Sequence, residues 1–191
     1  RSSDLFQHIC ISRLAPVFNP RLPDMLSRAD LLRGRFGRHH RPQIRPPGAI
    51  DETGFLASCT RCEDCRNACP QQVIVAGNGG YPTLDTRQAG CTFCGACQRA
   101  CTTAALGIAP EARLAWRPVF ANSCLALNRV VCRSCSDSCD TAAISFALQT
   151  GGRSQPVLDG PSCTGCGHCV SACPVQALSM QSPSPDEESP A

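Results

Sequence analysis

Cysteine decides what chemistry this 191-residue chain can do, because sixteen of its seventeen cysteines stand in four groups of four. Three groups share the spacing C-x2-C-x2-C-x3-C: Cys59, Cys62, Cys65, Cys69; Cys91, Cys94, Cys97, Cys101; and Cys163, Cys166, Cys169, Cys173. The remaining group, Cys124, Cys132, Cys135 and Cys139, carries seven residues, Leu125 to Val131, between its first two members. Three thiolates this close together, with a fourth four positions on, form the ligand run of paired cubane clusters, in which the fourth cysteine reaches the neighbouring cluster. Four groups therefore predict four [4Fe–4S] clusters, with all sixteen cysteines as iron ligands.

Two other uses of cysteine compete. A short cysteine-rich chain suggests a disulfide scaffold, but the count is odd, no apolar secretory signal is visible, and three thiols crowd one loop without distant partners. Zinc also takes thiolates, yet zinc sites draw two ligands from each C-x2-C knuckle and would leave the third and fourth cysteines unexplained. Reduced thiols and cluster assembly point to the cytoplasm or another reducing space. Cys10 receives no role.

The crossover rule assigns ligands. Cys59, Cys62, Cys65 and Cys101 hold one cluster, and Cys91, Cys94, Cys97 and Cys69 its neighbour. Cys124, Cys132, Cys135 and Cys173 hold a third, and Cys163, Cys166, Cys169 and Cys139 the last. Such clusters are one-electron relays, and no catalytic constellation accompanies them. The chain has neither a Walker-A loop nor a dinucleotide fingerprint, so it is read as a non-enzyme. His168 lies inside a knuckle, where an exposed loop histidine is expected; Trp116 and Tyr81 are read as packing residues.

The elements that position these cysteines repeat with them. Five residues past each fourth cysteine stands an aliphatic side chain, Ile74, Leu106, Ile144 or Leu178, predicted to pack beside a cluster, and the stretch from the third cysteine to it is read as a short helix. Strand-like pieces Val73 to Ala76 and Tyr81 to Leu84 flank Gly77-Asn78-Gly79-Gly80, and Ser145 to Leu148 and Pro156 to Leu158 flank Thr150-Gly151-Gly152, both hairpin signals. The predicted fold class is thus α+β, with tandem bacterial two-cluster ferredoxin-like modules held together by their clusters. The modules are placed at residues 51–121 and 122–183. The insert Leu125 to Val131 is read either as a docking surface or as a tolerated loop insertion.

Charge separates the ends from the body. Residues 1–50 hold nine arginines against three acids and read as a basic, mostly irregular leader, whereas residues 51–191 hold nine against twelve. Residues 1–24 precede the first methionine, Met25, and are read as possibly non-native. The leader lacks aromatic interleaving and any nucleic-acid fold, so a protein partner is expected over nucleic acid. Residues 184–191 read as a disordered acidic tail. No stretch of 18 apolar residues exists to span a membrane.

Several of these features together resemble a known family. The stretch Ser27-Arg28-Ala29-Asp30-Leu31-Leu32-Arg33-Gly34-Arg35, the Arg45-Pro46-Pro47 element, the Gly79-Gly80-Tyr81-Pro82 turn and the stretched motif Cys124-x7-Cys132 are similar to NapF, the ferredoxin-type family encoded with periplasmic nitrate reductase. The resemblance covers about residues 25 to 180. It implies a cytoplasmic accessory protein that binds the catalytic subunit of that reductase before export and helps it mature, by assisting assembly of its [4Fe–4S] cluster. Ser27 to Leu32 only partly resembles a twin-arginine export signal, having one arginine and no apolar region after it. The alternative is a one-electron carrier or an electron-transfer subunit of a membrane-linked redox complex.

Overall fold

A computed structural model describes residues 43–108, 113–151 and 153–182. By contact density the chain divides into Arg1–Arg41 and Pro42–Ala191, and the described residues all belong to the second unit. Most of the basic leader, with Cys10, Met25 and Ser27 to Arg35, lies outside the described residues, as does the acidic tail.

One plan is used twice. In the first half Asp51 caps helix α1 (Glu52–Ser58), its carboxylate accepting from the Gly54 N–H at 3.0 Å, as an N-terminal aspartate does for an orphan donor. Helix α2 (Asp64–Asn67) carries Cys65, a hairpin of β1 (Ile74–Ala76) and β2 (Pro82–Leu84) comes next, and helix α3 (Ala96–Ala100) carries Cys97. In the second half β3 (Arg117–Phe120) precedes α4 (Ser134–Asp137), which carries Cys135. Then come the hairpin of β4 (Ile144–Gln149) and β5 (Arg153–Leu158), α5 (His168–Ser171) with Cys169, and β6 (Leu178–Gln181).

Antiparallel pairing closes each half. β3 runs against β6, with Arg117 opposite Gln181 and Phe120 opposite Leu178, while in the first half the same place is taken by a single bridge, Ala49 opposite Leu106. A cut between residues 121 and 122 would part β3 from its partner strand. Strand and bridge pairing lies within residues 43–108 and within residues 113–182.

The helices are shorter than the sequence suggests. Each of α2 to α5 holds the third cysteine of its motif and stops before the fourth. The chain then turns, with left-handed backbone at Gln72, Ala142 and Gln176 (φ 55°, 51° and 50°), a conformation no helix accepts. The predicted aliphatic opens a strand or, at Leu106, makes the bridge. Ile74, Leu106, Ile144 and Leu178 are all buried, and so are their neighbours Val73, Ala105, Ala143 and Ala177. The hairpin strands match the expected stretches to within a few residues at each end.

The core of the first half centres on Phe55, which is fully buried among Val73, Ile74, Leu84, Ala105 and Leu106. Burying such a ring is worth about 1.5–3 kcal/mol. Arg45 lies 4.8 Å over the ring and reaches Glu52 with a two-pronged contact at 2.6 and 3.0 Å, while also donating to the Pro82 carbonyl. The N-terminal segment is thereby tied to helix α1 and to the hairpin. Tyr81 packs beside Phe55 and donates its hydroxyl to the Leu56 carbonyl. In the second half the buried side chains are smaller: Ile144, Val170 and Leu178 with Ala126, Ala143 and Ala177, filled out by cysteines.

Candidate metal centres

The cysteines gather in crossed sets. One cavity is walled by Cys59, Cys62, Cys65 and Cys101, with Phe55, Val75 and Leu106 behind them. A second is walled by Cys69, Cys91, Cys94 and Cys97 against Val73, Ile74 and Leu84. A third draws in Cys139, Cys163, Cys166 and Cys169. For the remaining set, Cys135 lies within electrostatic reach of Cys124 and Cys132, and Cys173 packs against the small cluster that contains Cys124. In every set the fourth cysteine of one motif joins the first three of the other motif in its half.

Backbone geometry suits these loops to an anionic group. In the three regular motifs both residues flanking the second cysteine are left-handed: Arg61 and Glu63 (φ 60° and 65°), Phe93 and Gly95 (52° and 71°), Gly165 and Gly167 (74° and 83°). Such backbone costs about 1–3 kcal/mol at a non-glycine residue and persists where the surroundings enforce it. Backbone of this kind is what anion-binding concavities of successive N–H groups are built from. Donors also reach the sulfurs directly: the Phe93 N–H points to Cys91 Sγ at 3.4 Å and the Ala177 N–H to Cys173 Sγ at 3.2 Å. The stretched motif departs here, since Arg133, after its second cysteine, has φ −134°. Its insert folds into a 3-10 turn, Ala126–Asn128, pinned by the Asn128 amide donating to the carbonyls of Asn122 and Cys124. Cys124 is buried all the same.

The residues present fit a cubane better than a lone ion. Zinc would hold each sulfur about 2.3 Å away, whereas among the described residues no three His, Cys, Asp or Glu side chains converge on a single ion. A cubane takes four thiolates and sits against an apolar wall, which Phe55, Val75 and Leu106 give the first cavity and Val73, Ile74 and Leu84 the second. Burial differs within each motif. The third cysteine is always buried, while Cys62 and Cys94, second in their motifs, are exposed. Burial pushes the free thiols of Cys65, Cys97 and Cys135 up to about 11 and that of Cys169 to about 12. They are protonated at neutral pH without metal, so loading releases protons. Cys101 goes the other way. Burial raises it, but hydrogen bonds from Thr103 and from the backbone of Leu106 and Ala105 prevail and lower it.

Comparison with known proteins agrees with this geometry. Residues 58–106 and residues 128–177 each match the 4Fe-4S dicluster domain. The ferredoxin-type protein NapF of Escherichia coli K12 is 41% identical over 157 residues, covering 81% of this chain and 94% of that protein. The chain belongs to the NapF family of ferredoxin-type proteins. NapF of Haemophilus influenzae is 38% identical over 166 residues, with 81% and 93% covered. The methylamine utilization ferredoxin-type protein MauM of Methylorubrum extorquens is 36% identical over 148 residues, with 68% and 67% covered. No solved structure matches. The second domain match begins at residue 128 and so omits Cys124, the cysteine that the insert separates from its group.

Several residues of the sites carry no signal in the motif pattern. Thr103 contacts Cys101 Sγ through its carbonyl and hydroxyl oxygens at 3.3 and 3.5 Å. Thr141 stands in the same place beside Cys139 at 3.6 Å. His168 is not an exposed loop histidine: it opens α5, is half-buried, and lies against Gly90, where even a methyl group would stand 2.5 Å from its ring. Among the described residues no helix is long and apolar enough to cross a membrane.

Proposed function

We propose that the four crossed cysteine sets each hold one [4Fe–4S] cluster, in two two-cluster modules of α+β ferredoxin type, and that the chain has no catalysis of its own. Bound clusters of this kind take up and release single electrons. The protein supplies four thiolates per cluster, N–H groups and an apolar wall. The observation that supports this assignment most strongly is the placement of Cys101, Cys69 and Cys139, each in a cavity with three cysteines of the other motif in its half.

In the cell the chain acts as a cytoplasmic accessory protein in maturation of the catalytic subunit of periplasmic nitrate reductase, binding its precursor and assisting assembly of its cluster before export. Support comes from a likeness to NapF that spans 94% of that relative. In a strain lacking the protein, the reductase purified from the periplasm is expected to be deficient in iron, and the precursor to co-purify with the tagged protein in the wild type. A fully iron-loaded, normally active reductase in that strain contradicts the role. A second reading, a one-electron carrier, draws support from the exposure of Cys62 and Cys94. On that reading the same strain holds an iron-replete reductase that lacks electrons.

A further inference from the structure

The two halves meet loop to loop at two cysteines from different sets. The N–H of Cys91 donates to the carbonyl of Cys166 at 2.8 Å. Cys91, with Thr92 and Phe93, also forms part of the wall of the cavity that gathers Cys139, Cys163, Cys166 and Cys169. Between the two sulfurs there are thus only the two cysteine residues themselves and one hydrogen bond.

Glycines make this approach possible. A Cβ on Gly90 would stand 2.5 Å from the His168 ring and 2.6 Å from the His168 backbone nitrogen, and the second contact cannot be relieved by turning a side chain. Across the same seam a Cβ on Gly167 would stand 2.4 Å from Thr86 Cγ2, and Thr86 is buried. Close by, the Leu114 N–H donates to the Thr164 carbonyl at 2.8 Å, and Gly165 lies against the Leu114 and Trp116 carbonyls. The seam is closely packed, and it joins the set on Cys91 to the set on Cys166.

We infer that this seam is the electron crossing between the two halves, with Gly90 as a positioning residue that keeps it closed; the inference rests on the four-cluster reading above. The cysteine sets then follow one another in the order Cys59 set, Cys91 set, Cys163 set, Cys124 set, rather than as two separate pairs. In the crossing one electron would pass from a group held by Cys69, Cys91, Cys94 and Cys97, oxidising it, to one held by Cys139, Cys163, Cys166 and Cys169, reducing it. No bond forms or breaks and no proton moves. A one-electron reductant at one end and a one-electron acceptor at the other complete the balance.

Magnetic coupling in the full-length, anaerobically loaded and chemically reduced protein tests the order. A reduced cubane with a reduced neighbour gives a broadened, split electron paramagnetic resonance signal, and one without a neighbour gives a narrow one. The double substitution Cys59→Ala with Cys62→Ala removes the first cluster and is expected to leave about twelve iron per chain, three clusters of four. Because the Cys91 set still has the Cys163 set beside it, no narrow signal should appear. Adding Gly90→Val should produce a narrow signal at unchanged iron. The mirror pair Cys124→Ala with Cys132→Ala repeats the test from the other end if the first variant does not load. A narrow signal without the Gly90 change, or a coupled signal that persists with it, overturns the crossing. Iron far from twelve in both double variants overturns the four-cluster reading, and the crossing with it.

Discussion

Residues 43–108 and residues 113–182 present the same crossed-cysteine plan on different supports. The first half surrounds its cysteines with Phe55, Val73, Ile74, Leu84 and Leu106, and fastens its entering segment with Arg45. The second half has a longer hairpin and a full strand pair in place of a single bridge, but a buried set in which cysteine and alanine replace large side chains. Ligand geometry is therefore separable from apolar support. A half with little buried hydrocarbon draws more of its folding free energy from what its thiolates bind.

Stripping the clusters should show this contrast at full size. Amide hydrogen exchange on chelator-treated protein is expected to find protection lost first and most completely in β3, β4, β5 and β6, with a residue of protection at α1 and β1. Equal loss in both halves would mean that the Phe55 core gives no independent support. Core truncation comes next. Phe55→Ala should cost about 3–5 kcal/mol in denaturant unfolding of the loaded protein, while Phe146→Ala, at a half-buried position of the second half, should cost clearly less.

Arg45 ranks below the core. Its replacement by alanine removes hydrogen bonds to a carboxylate and to a carbonyl and should cost about 1.5–3 kcal/mol. Arg45→Lys should recover little, because an ammonium cannot reproduce the two-pronged contact with Glu52. The smallest effects are electronic. Thr103→Val removes a hydroxyl beside Cys101 and Thr141→Val one beside Cys139. Each should lower the reduction potential of its own cluster in a redox titration, since fewer hydrogen bonds to sulfur favour the oxidised form. The shift should be larger at Thr103, whose contact with its sulfur is part-buried where that of Thr141 is exposed.

How much of the molecule is legible in the chain depends on the range of the interactions involved. Cysteine spacing and the glycine turns at Gly77 to Gly80 and Gly151 to Gly152 are local signals, and they located the candidate ligands and both hairpins. Helix length is not legible, because a left-handed turn at Gln72, Ala142 or Gln176 is imposed by surroundings, with no glycine to announce it. The pairing of Arg117 with Gln181 links residues more than sixty positions apart and has no counterpart in motif spacing. Helix α1 did carry a signal, Asp51 before Glu52, which the cysteines overshadowed. Gly90 and His168 each look ordinary in sequence; their meaning lies in the contact between them.

Iron and acid-labile sulfide, determined per chain on anaerobically purified protein together with zinc, test the central claim most directly. About sixteen iron and as many sulfides are expected, four clusters of four. About two iron per chain, or zinc in place of iron, would contradict the account.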